Sequence, residues 1–199
     1  MGRPAAIRVT MRRRAATTAA LLFLGLGLWQ FGGGAWIHVK AALAQVLLKQ
    51  AWADTRSGET GAKPWPWADT HPVARLEVPG HGVDLLVLAG ASGRTFAFGP
   101  GHFDGTAAPG SDGTSVMAGH RDTHFRFLEK VAPGDTMTVT DAAGAVRDYT
   151  VTGSEIADAR TARIRLDSGG SRLVLVTCYP FDAVIVGGKL RYVVTAVAK

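Results

Sequence analysis

The 199-residue chain reads as an all-β domain, barrel or sandwich, carried behind an N-terminal membrane-spanning helix. Short apolar runs recur between Gly and Pro turn signals from Val73 onward. Few windows there have helical spacing. A stretch without a charged side chain, 15–37, precedes them.

The uncharged stretch contains Leu21-Leu22-Phe23-Leu24 and ends in Trp29, Phe31 and Trp36. Its length suits a bilayer, which needs about 20 apolar residues. Arg12-Arg13-Arg14 lies before it and indoles lie at its far end, which orients the N-terminus toward the cytoplasm. A retained anchor is favoured over a cleaved signal peptide, because Gly32-Gly33-Gly34-Ala35 is an imperfect cleavage site. The expected organisation is a basic cytoplasmic segment over 1–14, the anchor over 15–37, and a juxtamembrane helix and linker over 38–69. The globular domain then fills 70–199. In the helix, Trp36, Val39/Lys40, Leu43, Val46/Leu47 and Gln50/Ala51 share one face. Gly58, Gly61 and Pro64-Trp65-Pro66-Trp67 mark the linker.

Seven strands are expected in the domain. Val73–Val78 alternates apolar and polar residues, Pro79-Gly80 turns, and Val83–Leu88 follows. Thr114–Ala118, Thr136–Thr140, Ala145–Thr152, Arg172–Cys178 and Lys189–Val197 are each entered through a glycine turn. Arg94–Phe98 and Thr123–Val131 read as short helices.

Composition excludes several classes of function. From Lys63 onward there are 14 Lys+Arg against 14 Asp+Glu, so the net charge of +6 belongs to the N-terminus and no nucleic-acid stripe exists. A single cysteine rules out an internal disulfide and any multi-thiolate metal site. The six histidines form no HExxH or HxH pattern, and no metal or cofactor is assigned.

Three residues point to chemistry. Arg172–Cys178 is apolar on both faces, as a central strand is, and Tyr179-Pro180 stops it, leaving Cys178 at a strand terminus. A lone cysteine is more often an inert buried thiol. Thr114–Ala118 likewise ends at Gly119-His120, a titratable group where pairing stops, with Asp122 or Thr123 suited to cap a following helix. In the last strand Leu190, Tyr192 and Val194 share one face, and Arg191 turns to the other with Val193. A guanidinium inside an apolar strand needs a partner, and an anionic intermediate or substrate carbonyl would supply one. Together the three fit acyl transfer: a thiolate attacks an amide, a histidinium protonates the leaving amine and a cation steadies the oxyanion.

Val174-Leu175-Val176-Thr177-Cys178, with Gly119-His120-Arg121 before it and Arg191 after it, resembles the sortase family, whose nucleophile commonly lies in TLxTC. Here valine replaces the first threonine. Thr177-Cys178-Tyr179-Pro180-Phe181 looks more like the class D or Gram-negative-type enzymes. The resemblance covers about 70–199. It implies an eight-stranded β-barrel with one or two short helices, and a cysteine transpeptidase that cleaves an LPxTG-like C-terminal signal through a thioester and passes the protein to an amine. It also implies Cys178, His120 and Arg191 as catalytic residues and Thr177 lining the substrate groove. The implied partners are a protein bearing that signal, in the Gram-negative type a dedicated membrane-bound protein, and the membrane. The implied location is the inner or plasma membrane, single-pass, with the catalytic domain extracytoplasmic.

Asp122 as an orienter of His120 is a minority reading. His124, Arg126 and Phe127 are read as surface and core, His102 as a solvated loop residue, and the arginines of Ile156–Gly170 as solvated although they occupy the family's specificity loop. The competing readings are an unrelated envelope cysteine amidase or transpeptidase, and a tethered β-barrel binding module with an inert Cys178.

Overall fold

The computed structural model describes residues 4–166, 169–183 and 187–199. It divides into two units, residues 1–43 and 44–199. Arg3 of the basic N-terminus, and Asp167 and Ser168 of the Ile156–Gly170 segment, lie outside the described residues.

The first unit is helical. Helix α1 spans Pro4–Arg56 without a break, and Gly32, Gly33 and Gly34 do not interrupt it. Leu22, Phe23, Trp29 and Phe31 are exposed along it, and it is long and apolar enough to cross a membrane.

The second unit begins at Ala44, not at Thr70 as the sequence led us to expect. Ala44, Leu48, Ala51 and Thr55 are buried at intervals of four, three and four residues, forming one helix face. This face is displaced by about one residue from the expected one, and of the expected positions only Ala51 is buried. The segment after α1 is no free tether either. Ala62, Pro64 and Ala68 are buried, Trp65 meets Phe98 edge-on at 5.1 Å, and Thr70 Oγ1 donates to Ala89 O at 2.7 Å.

Eight strands follow: β1 Pro72–Val78, β2 Val83–Ala89, β3 Gly101–His102, β4 Thr114–Ala118, β5 Thr136–Asp141, β6 Val146–Asp158, β7 Arg172–Cys178 and β8 Leu190–Ala198. They close into a barrel in the order β1-β2-β3-β4-β7-β8-β6-β5. β2–β3 and β4–β7 pair in parallel and the remaining neighbours antiparallel. The two expected helices are 3₁₀ turns, Thr95–Ala97 and Arg126–Lys130. Phe125 precedes the second turn without a side-chain cap, so the expected cap at Asp122 or Thr123 is not formed.

Strand β3 was not expected, since two residues carry no alternation. It closes the barrel between β2 and β4. A Cβ at Gly101 would lie 2.2 Å from Gly90 O, so only glycine admits the neighbouring chain here. His102, expected in solvent, is half-buried in β3 and its Nε2 bonds Ala107 O at 2.9 Å and Thr106 Oγ1 at 3.0 Å.

Inward residues fill the barrel. Ala74, Leu76 and Val78 alternate along β1, and Met117, Leu173, Leu175 and Val194 meet them from the other side with Met137, Val139 and Tyr149. Strand β7 lies between β4 and β8, the central place its two apolar faces demand.

At the rim Asp135 accepts from the Ala132 N–H at 3.0 Å and lies 2.8 Å from His81 Nε2. The backbone donor first, then His81, holds its carboxyl below the usual value. A depressed folded pKa adds stability that is present above the unfolded value, near ~3.9, and is lost as pH falls through the folded value. Asp135→Asn is therefore expected to melt below the parent at neutral pH. The two melting curves should converge below about pH 4, and a gap that persists in acid would contradict this.

Candidate active site

The site follows from register. β4 and β7 run parallel, with Ala118 opposite Val176, and the ladder's last bond runs from Gly119 N to Val176 O at 3.2 Å. One step further, His120 comes level with Cys178. On the other side β8 runs antiparallel, and Cys178 pairs directly with Arg191. Neighbouring strands stand ~4.8 Å apart. Cys178 and Arg191 thus lie side by side on adjacent strands, and His120 follows the end of β4 at the same end of the barrel.

Cys178 and Arg191 also share a face. Alternation turns Leu173, Leu175 and Thr177 inward, and Val174, Val176 and Cys178 outward. Val116 and Val193 join Val174 in a second, outer apolar cluster, packed by Val176 and Ala157. Cys178 is half-buried at the end of that cluster, with exposed His120 and half-buried Arg191 flanking it.

Each side chain has its own surroundings. The Phe96 ring meets His120 edge-on, centroids 5.7 Å apart and planes at 71°. His124, four residues beyond in the turn that follows, is half-buried. Burial first, then the nearby His120, pushes its pKa below the ordinary histidine value, against a bond to the Phe96 backbone. Arg191 Nη1 donates to Gly188 O at 2.7 Å and Leu190 O at 2.9 Å, which satisfies part of the fork within its own strand entry. Its partners are thus carbonyls, the same kind of acceptor that a scissile amide presents.

Thr177 departs from expectation. It is 2% exposed and its Oγ1 donates to Gly119 O at 2.8 Å, so it offers a groove no surface. The pleat explains this, because two consecutive strand residues cannot face the same side, and Cys178 faces out. Thr177 instead fastens β7 to the backbone immediately before His120.

Asp122 does not orient His120: it is exposed, and its Oδ1 accepts from Arg121 Nε at 3.3 Å. Arg126 is exposed and Phe127 partly buried, as expected. Arg160 is exposed and pairs with Asp158 at 2.8 Å, and Arg163 donates to Thr161 O and Ala162 O. Sequence reasoning missed Phe96 altogether and set His124 apart from the site. The four-residue interval from His120 to His124 was the available signal.

The family model for the sortase domain matches residues 76–199. The chain belongs to the sortase family. It is 32% identical over 110 residues to Sortase D of Bacillus subtilis (strain 168), a match spanning 55% of this chain and 55% of that protein. The solved Clostridium perfringens sortase transpeptidase superposes with a TM-score of 0.54 at 23% identity, covering 76% of this chain and 88% of that one. Sortase A from Corynebacterium diphtheriae gives a TM-score of 0.59 at 21% identity over 79% and 85%. The two superpositions speak for the shared barrel, and the sequence match is compatible with a class D-like sortase.

Proposed function

We propose that this chain is a membrane-anchored cysteine transpeptidase, with Cys178 as nucleophile, His120 as acid/base and Arg191 as donor to the reacting carbonyl. The observation carrying this reading is the pairing of Cys178 on β7 with Arg191 on β8, with His120 two residues past the end of the neighbouring β4. The Cys178 thiolate attacks the carbonyl carbon of the last residue retained from an LPxTG-like signal. The C–N bond breaks, the His120 imidazolium gives its proton to the departing amine, and a thioester remains. An acceptor amine then attacks, loses a proton to neutral His120, and the C–S bond breaks to restore the thiolate. Arg191 donates to the carbonyl oxygen as charge builds there in both halves.

Helix α1 is the anchor of this reading, with the arginine-rich N-terminus cytoplasmic and the barrel on the opposite side. A substrate held in the same membrane meets the enzyme at high effective concentration, so weak peptide affinity suffices. In the Gram-negative type, that substrate would be a dedicated membrane-bound partner.

Incubation of the protein with LPxTG-like peptides, followed by intact mass measurement, is expected to show one acyl adduct on Cys178 that hydroxylamine removes. A reactive Cys178 that never acquires an adduct from any such peptide would remove the sorting signal from the reading. An unreactive thiol would favour the inert-core binding module.

A further inference from the structure

The ladder that aligns His120 with Cys178 ends at Gly119, before either side chain. Both residues open into loops, and a thiol–imidazole distance needs a further constraint. Arg121, the residue after His120, is only 6% exposed. Its Nη1 donates to Pro180 O and its Nη2 to Ala183 O, each at 2.6 Å, and its Nε meets the Asp122 carboxylate at 3.3 Å. Pro180 lies two positions after Cys178. A guanidinium removed from water is costly unless its donors are met, and here every nitrogen of the fork has an acceptor.

We propose that Arg121 is a positioning residue. Its planar fork spans two carbonyls of the loop behind Cys178 and so fixes the backbone behind His120 against it, setting the imidazole–sulfur separation. The inference rests on the reading of Cys178 and His120 as the reacting pair. Arg121 touches no reacting atom; it acts through the two residues beside it. A lysine would keep the charge but bring a single point of donation to two carbonyls that face one planar fork.

The lone cysteine gives a readout that needs no peptide, since alkylation by iodoacetamide reports on Cys178 alone. Its rate is measured against pH in the parent, His120→Ala, Arg121→Met and Arg121→Lys. The parent profile is expected to contain a limb that His120→Ala removes. Arg121→Met should remove the same limb, lowering the neutral-pH rate about tenfold, and lower kcat for peptide cleavage by a similar factor with KM within about twofold. Arg121→Lys should recover only part of the limb. An Arg121→Met profile superimposable on the parent's, where His120→Ala loses the limb, overturns the positioning role. A His120→Ala profile matching the parent's overturns the underlying reading instead. Should Arg121→Met fail to fold, hydrogen exchange of the 179–183 segment in Arg121→Lys decides: exchange about tenfold faster than the parent supports the tie, and unchanged exchange overturns it.

Discussion

Cys178→Ala is expected to lower peptide transfer to less than about one part in 10⁴ of the parent rate, because in the function proposed above the acyl bond forms on this sulfur. Stability should change by less than ~1 kcal/mol. The thiol is half-buried at a strand end, and the pairing of β7 with β4 and β8 runs through backbone that the substitution leaves intact. Peptide cleavage and thermal melting measured on one preparation check both halves. A variant that keeps cleaving would remove Cys178 from the chemistry. A melting temperature that collapses would mean the sulfur serves packing.

Phe125→Ala is expected to cost about 3–5 kcal/mol, read as a lowered urea midpoint with unchanged slope. The ring is fully buried, packs edge-on against Phe127 at 5.9 Å and lies directly under Gly119, where a Cβ would come within 3.1 Å of it. Phe125 N also donates to His120 O at 3.0 Å. Losing the ring therefore empties the floor beneath the histidine, and cleavage should weaken even where the protein stays folded. Phe125→Leu, which keeps most of the volume, should cost less than half as much. A loss below about 1 kcal/mol for Phe125→Ala would show that the barrel end collapses onto the gap.

The alternating strands were legible because the period of two, broken by Gly and Pro, survives in the sequence whatever the pairing. Cys178, His120 and Arg191 were legible as polar groups at strand ends. Which strands adjoin was not, since the parallel pairing of β4 with β7 is a long-range contact that leaves no local pattern. For the same reason the side that Thr177 faces and the fork of Arg121 across the Cys178 loop emerged only in three dimensions. β3 was hidden by its brevity. The burial of α1 from Ala44 onward was hidden by alanines, which serve an exposed helix and a tight contact equally well.

Register irregularities interrupt the β1–β2 ladder near Pro72 and the β6–β8 ladder near Val151, whereas β7 pairs with β4 and β8 without a break. Adding or removing one residue between Arg172 and Cys178, with the start of the strand held in register, would turn the sulfur into the core and bring threonine out in its place, along with every side chain that follows the change. Which way the sulfur faces is thus a matter of counting: an odd or even number of peptide units decides it.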